Sequence, residues 1–353
     1  MKKLIILIIL INISLGIIFI FSNKNLYSEN ENRNLTKIDN ITFNKLLDGT
    51  FTKNIDDYIN DHFPLRNIFL SINSYIKLIL GHKEINDVYI NNNNLFLKYA
   101  EVDIKKISNE LNKFYGNNKV KMDFILVPTS SLVNKEKLPL FIDTKKEVND
   151  FKYIESNLNF NFINGYDILK NKENVYYKLD HHYNLFGAYE IYKEFSKQNK
   201  LQNKNIKFNL LCEDFQGTLY SKVHLFNNEK DKMYYYKYKN DLKVINGNKI
   251  YSTLYDKNFL NKKDKYSFYL GGNYPLLKIE TNLKNKKEIL IIKDSYANSF
   301  IPFLTDDYNK IHVIDTRFYS SSITNYIKNN NIKEVLFLYG ISSLNESNLQ
   351  NIR

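Results

Sequence analysis

The eighteen residues from Leu4 to Phe21, within "MKKLIILIILINISLGIIFIFSNKN", carry no charge, and only Asn12, Ser14 and Gly16 interrupt their apolar character. Lipid offers backbone N–H and C=O groups no partner, so a lone run of this kind is stable there only as a helix that bonds to itself. At 1.5 Å per residue it is about 27 Å long, enough to cross the hydrocarbon core of a bilayer. Lys2 and Lys3 precede it, and positive residues are retained on the cytoplasmic side, so everything after about residue 22 is expected to be exported. A cleaved signal peptide, the alternative, has a shorter apolar core and small residues before the cut. Here Ile18, Phe19, Ile20 and Phe21 fill that place. The expectation is an uncleaved signal anchor over residues 1–22, in a single-pass protein of the cytoplasmic membrane whose folded part is extracellular.

Outside the membrane the fold must rest on its core, because one cysteine, Cys212, allows no intramolecular disulfide. A chain of 353 residues that is 43% apolar can supply that core. Disulfide-free export suits a Gram-positive surface protein. In "FNLLCEDF" Cys212 reads as a small buried residue rather than a nucleophile. The formal charge of +12 would suit an anionic polymer or lipid surface. The lysines, however, are scattered among acids instead of massed in one tract, which argues against nucleic acid as a partner and for a solvated basic surface.

Residues 23–85 begin with a polar stalk and continue into two helical patterns that meet at Pro64, which makes this stretch a stalk with membrane-proximal helices. From residue 86 the texture changes. "DVYINNNNLFL" reads as a hairpin, a helix follows near 101–115, and "KMDFILVPTSS" is a continuous apolar strand of the kind buried on both faces of a parallel sheet. "FNFINGYDIL", "KEILIIKDSYANSF", "NKIHVIDTRFY" and "IKEVLFLYG" supply further strands, with helices at 185–199 and near 320–330. Strand and helix alternate as in an α/β fold. Between about 205 and 280 the helical rhythm gives way to tyrosine-rich alternation, which predicts a β-rich insertion into a domain spanning 86–353.

Two of the six histidines, His181 and His182, directly follow Asp180 in "YYKLDHHYN". In an extended segment residues two apart share a face, so Asp180 can touch His182 while His181 points away. A carboxylate on one imidazole nitrogen fixes the tautomer and leaves the other free as a base. Asp180 could instead cap the helix that follows. A metal site is a third reading, against which neither histidine has a helical partner at i+4, and His62, His82, His224 and His312 lack ligand spacing. Ser295, in "IIKDSYANSF", sits where a buried strand meets the next helix, the place where functional groups gather in open α/β sheets. It can offer a hydroxyl for attack and its own N–H to a developing oxyanion, or it can simply cap the helix. A strand-end serine with an Asp-x-His together make a set for acyl transfer.

"YYKLDHHYN" resembles the defining motif of the DHHW family, exported bacterial proteins related to alginate O-acetyltransferases and to SGNH-hydrolase-like proteins. "DGTFTKNIDDYINDHFPLR", "FILVPTSSLVNKEKLP", "FQGTLYSK", "FYLGGNYPL" and "VIDTRFY" extend the likeness in order from about residue 29 to the C-terminus. The resemblance implies a three-layer α/β fold, a parallel sheet flanked by helices, with Ser295 as nucleophile, His182 as base and Asp180 as its orienter. It implies an extracytoplasmic O-acetyltransferase that acts on a surface or cell-wall polysaccharide and receives acetyl groups through a polytopic membrane-bound O-acyltransferase. No cofactor or metal is called for. A carbohydrate acetylesterase with the same three residues, or a non-catalytic polysaccharide-binding wall protein, remain the rival readings. The fourth letter of the motif is Tyr183 rather than Trp, and it is expected beside the substrate. Arg317 is expected to hold an anionic part of the acceptor or to brace the site, and Gly272 and Asn273, or Gly217, to complete the oxyanion hole.

Overall fold

The computed structural model describes residues 2–202, 206–225, 229–344 and 352. The chain divides into two compact units, one of Met1–Ile85 with Tyr220–Asn228, the other of Asn86–Leu219 with Glu229–Arg353. Residue 205, where the β-rich stretch is expected to start, and residue 353, the expected end of the domain, lie outside the described residues.

The first unit holds three long helices. Helix α1 (Lys2–Phe21) has no buried residue and is long and apolar enough to cross a membrane. Helices α2 (Thr50–His62) and α3 (Arg66–Ile79) meet at Pro64, before which Phe63 is held extended, as a residue preceding proline must be. The segment after α1 is fastened to this junction by charge. Arg33 binds Asp61 with Nη1 3.0 Å from Oδ2, Asp61 Oδ2 also accepts the Thr36 N–H at 2.8 Å, and Arg66 binds Glu31. The Phe19 ring of α1 meets the Tyr58 ring of α2 edge-on at 6.4 Å.

The second unit opens with a hairpin, β1 (Val88–Asn91) and β2 (Asn94–Leu97), whose turn residue Asn92 takes the left-handed φ of 52° that asparagine tolerates. The elements that follow are α4 (Ile104–Asn118), β3 (Lys121–Val127), α5 (Lys145–Asn157), β4 (Asn161–Asn164), α6 (Leu185–Gln198), β5 (Phe208–Phe215), β6 (Asp231–Tyr236), β7 (Leu242–Asn246), β8 (Lys249–Tyr251), β9 (Leu276–Thr281), β10 (Glu288–Lys293), α7 (Ala297–Leu304), β11 (Lys310–Asp315), α8 (Ile323–Asn329) and β12 (Glu334–Gly340). Eight strands form one sheet in the order β8-β7-β9-β11-β10-β12-β3-β4.

From β11 to β4 the neighbours run parallel, while β8, β7 and β9 add antiparallel strands to one edge. The sheet is therefore mixed, and part of the tyrosine-rich stretch extends it instead of standing apart. Among the described residues, strands β5 and β6 pair only with each other, with irregular register at Cys212. Successive strand residues point to opposite faces, so Ile289 and Ile291 enter one core with α6 and α7, and Leu290 and Ile292 enter another with α4, α5 and α8. Three layers follow from continuous apolar strands buried on both sides.

Candidate active site

Strand β10 ends at Lys293, in register with Asp315 of β11 and Leu338 of β12, so Ser295 emerges at the carboxyl edge of the parallel strands. Asp294 shapes the exit. It is fully buried, accepts the Tyr296 N–H at 2.8 Å through Oδ1, and takes the Gly340 N–H at 2.8 Å and the Ser343 hydroxyl through Oδ2. Burial pushes its carboxyl up from the ordinary range, and these donors oppose the shift. The turn holds Ser295 partly exposed while its neighbours on both sides are buried.

Asp180 makes the same local motif. Its Oδ1 accepts the His182 backbone N–H at 3.0 Å and His182 Nδ1–H at 2.6 Å, and the chain from Lys178 to His182 is bent rather than extended. An Asp side chain that bonds the backbone two residues on is a turn-forming device. The contact between Asp180 and His182 thus arises from a turn, and His181 does not point away. Its ring lies 3.8 Å from that of His182, with Nδ1 2.6 Å from Thr218 Oγ1. Thr218 in turn donates N–H at 2.7 Å and Oγ1–H at 3.0 Å to Asp180 Oδ2. Burial alone would raise the Asp180 carboxyl, but the two imidazoles beside it and the hydrogen bonds from His182 hold it far below the usual carboxylate range.

His182 completes the connection. With Nδ1 donating to Asp180, Nε2 is free to accept from Ser295 Oγ, 2.8 Å away. The Tyr266 ring stacks on the imidazole at 3.9 Å and 7°, and the Tyr266 hydroxyl donates to the Ser295 carbonyl at 3.1 Å. Asp180 and His182 are buried while Ser295 is reached from outside. Such an arrangement can move a proton from the serine hydroxyl to a tautomer-locked imidazole. Asp180, His181 and His182 also lie close enough to share a metal ion, although both Asp180 oxygens, both His182 nitrogens and His181 Nδ1 already take part in the bonds above.

The remaining residues singled out by sequence fall elsewhere. Tyr183 is wholly buried and donates its hydroxyl to the Tyr296 carbonyl at 2.7 Å, so it braces the serine turn and cannot touch substrate. Arg317 is paired with Asp315, with Nε 2.9 Å from Oδ1 and Nη2 2.7 Å from Oδ2, the bracing arrangement of the two expected. Gly272 takes φ of 107° in the turn before Asn273, and its N–H faces the Tyr269 carbonyl at 3.4 Å, so it shapes a loop and offers no free donor. Gly217 serves the carboxylate: a Cβ there would lie 2.1 Å from Asp180 Oδ2. Ser299 lies buried inside α7, 3.3 Å from the Tyr266 hydroxyl.

Asn273 does reach the neighbourhood. Its Oδ1 accepts from Lys293 Nζ at 2.9 Å and Asn298 Nδ2 at 3.1 Å, which leaves its own amide N–H groups to point elsewhere. Lys293 was not singled out by sequence, although a lysine closing the apolar run "ILIIK" is a signal. It is 1% exposed, donates to Asn298 Oδ1 at 2.7 Å and pairs with Asp315 at 3.2 Å. Burial lowers its ammonium to about 8 against the opposing pull of Asp315. Tyr266 was also missed, and nothing local in the sequence marks it; Thr218 was missed although it stands beside Gly217 within "FQGTLYSK".

The sequence model described as DHHW protein matches residues 87–314. A solved DHHW family protein from Eubacterium siraeum DSM 15702 is similar, with a TM-score of 0.64 and 25% identity over 75% of this chain and 96% of its own. PatB1 of Bacillus cereus, solved with a sulfonyl adduct, has a TM-score of 0.63 and 20% identity over 75% of this chain and 98% of its own. A second structure of PatB1 gives 0.61 and 22%, over 75% and 99%. Curated protein sequences yield no match.

Proposed function

This chain belongs to the DHHW family, and from that premise we propose that it is an O-acetyltransferase that works through Ser295, His182 and Asp180 on a surface or cell-wall polysaccharide outside the cytoplasmic membrane. The observation that supports this most directly is the unbroken run of hydrogen bonds from the Thr218-bound Asp180 through His182 to the partly exposed hydroxyl of Ser295.

In this reading Ser295 Oγ attacks the carbonyl of an acetyl donor while His182 Nε2 takes its proton, and buried Asp180 stabilises the imidazolium. The tetrahedral oxyanion is met by the Ser295 N–H, which has no acceptor among the described residues, and by the Asn273 amide, oriented through Lys293 and Asn298. Collapse expels the donor's leaving group with the proton from His182. A sugar hydroxyl, deprotonated by the same nitrogen, then attacks the acetyl-serine, and Ser295 departs with its proton restored. Acetyl-CoA is cytosolic, so a polytopic membrane-bound O-acyltransferase is proposed as the donor relay.

The test is to expose the full chain to a sulfonyl fluoride and, separately, to an activated acetyl ester, the first being matched to the adduct seen on PatB1. A single label on Ser295, abolished in a folded Ser295→Ala variant and slowed by Asp180→Asn, is the expected result. Labelling that survives in the Ala variant overturns the nucleophile. A folded chain that no acyl donor labels overturns the reaction. Release of the acetyl group to water at the same rate with and without saccharide would assign an esterase instead.

A further inference from the structure

Beyond the reacting residues, the antiparallel edge of the sheet holds a cavity of about 270 Å³ between the 244–258 stretch and the loop that delivers Asn273. Leu277 of its wall pairs with Val313 of β11, which pairs with Ile291 of β10, and Leu276 is likewise level with Ile292, three residues before Ser295. The cavity wall therefore lies toward the same end of the sheet as Ser295, about two strand spacings (roughly 10 Å) across the sheet and three residues (roughly 10 Å) short of it along the strands. Gly271 also lines it, and Asn273 is only two residues on.

The lining is chemically selective. Tyr251 and Tyr274 present rings, and the Tyr274 hydroxyl is anchored on the Gly271 carbonyl at 2.7 Å. Asp256 contributes the lining's single carboxylate; its Oδ1 accepts the Asn258 N–H at 2.9 Å, and Oδ2 has no partner among the described residues. Asn246 adds an amide, and no lysine, arginine or histidine lines the cavity. Aromatic faces beside hydroxyl-accepting groups suit a sugar ring, which has apolar C–H faces and a polar rim. A carboxylate on a lining that carries no cationic side chain repels an anion, even on a chain of net charge +12.

We propose that this cavity is an acceptor subsite for a neutral or amino sugar residue of the polysaccharide and that it discriminates against uronates and other anionic sugars. The proposal rests on the reading of Ser295 as the centre of acyl transfer to saccharide, so its test is read by binding rather than turnover. The full-length Ser295→Ala chain in detergent is titrated calorimetrically with an N-acetylglucosamine hexamer, a glucose hexamer and a galacturonate hexamer. At least one neutral hexamer is expected to bind at least tenfold more tightly than the uronate. Tyr251→Ala, at a position 44% exposed and free of core packing, and the isosteric Asp256→Asn are each expected to weaken neutral binding at least tenfold. Asp256→Asn should also narrow the discrimination. Equal or tighter uronate binding, neutral binding indifferent to both substitutions, or no binding of either neutral hexamer at millimolar concentration overturns the subsite. Absence of acyl labelling at Ser295 with neutral binding intact would instead overturn the reaction.

A different observation carries a second inference. Helix α3 is inside out: Ser71 and Ser74 are buried, while Ile68, Phe69, Ile72, Ile76 and Ile79 are 46–83% exposed on one stripe. At 14 residues it is about 21 Å long, too short to span a bilayer. Its neighbour α2 touches Phe19 through Tyr58, two residues from the end of the helix that is apolar enough to cross a membrane. We infer that the apolar stripe of α3 lies in the interface of the lipid bilayer, parallel to its surface. The chain contains no tryptophan, so Phe69→Trp provides a single indole in the full chain, reconstituted in phosphatidylcholine nanodiscs. Brominated acyl chains are expected to quench it. Unquenched emission overturns the inference, whether red-shifted, as in water, or blue-shifted, as beneath a protein surface.

Discussion

The two adjacent histidines differ in what lies beyond them. His182 has Asp180 on one nitrogen and Ser295 on the other, whereas His181 reaches only Thr218 among the bonds described above. His182→Ala is therefore expected to cost roughly 10²-fold or more in acyl transfer, the usual weight of a general base. His181→Ala should cost far less, since it removes a neighbour of Asp180 and loosens the Thr218 hydroxyl without touching Ser295; equal losses in steady-state rates would refute the assignment. Gly217→Ala tests the orienter without removing it. The added methyl would occupy the place of Asp180 Oδ2, and a displaced carboxylate is expected to lower the rate on the order of 10²-fold, with the far-ultraviolet circular dichroism unchanged. Asp180, His182 and Ser295 could be named from sequence because the Asp-x-His spacing, the strand-end serine and the likeness to a family motif mark them, although the spacing was read as extended and is a turn. Tyr183 could not be placed that way. Its conservative aromatic character suggested a substrate contact, but only the packing of Tyr296 above it shows that its face is closed.

At the scale of elements, α5 is tied to the end of β3 by one buried carboxylate. Glu147, 1% exposed, accepts the Thr129 N–H at 2.8 Å and the Thr129 hydroxyl at 2.7 Å. Burial raises it from 4.5 to about 7, with the two Thr129 bonds opposing. The folded state thus holds this proton more tightly than the unfolded chain. Its stabilising contribution is complete below about pH 4.5 and is lost as pH rises through 7; the gap is worth on the order of 3 kcal/mol. Thermal melts of the native chain should fall from pH 5 to pH 8 more steeply than those of Glu147→Gln, and parallel pH profiles would refute the linkage. The strands β3, β10, β11 and β12 were legible as unbroken apolar runs, and α6 as a stripe carrying Leu185, Ala188, Tyr189, Tyr192 and Phe195, of which Tyr189 is only partly buried. The pairing of β7 and β9 with the main sheet was not, because alternation along a strand reports which face is buried and says nothing of which strand lies alongside.

For the whole molecule, the N-terminal helix is long and apolar enough to cross a membrane, and we propose that it is kept as an anchor. No small-residue cleavage site precedes residue 22, so the mature protein is expected to begin at or near Met1 and to fractionate with membranes. N-terminal sequencing that finds a soluble protein starting between about 23 and 30 would refute this. The apolar run determined its own structure from sequence alone, since lipid leaves the backbone no alternative to a helix. The alternation of buried strands and helices determined an α/β architecture by the same kind of local necessity, that of covering both faces of a sheet. What only the tertiary structure decided is which distant groups meet: Tyr266 against His182, Thr218 and Gly217 around Asp180, Lys293 between Asn273 and Asp315. Sequence encodes such meetings through the summed packing of the core, and no local pattern carries them, because a side chain's partner across a fold depends on every element between the two.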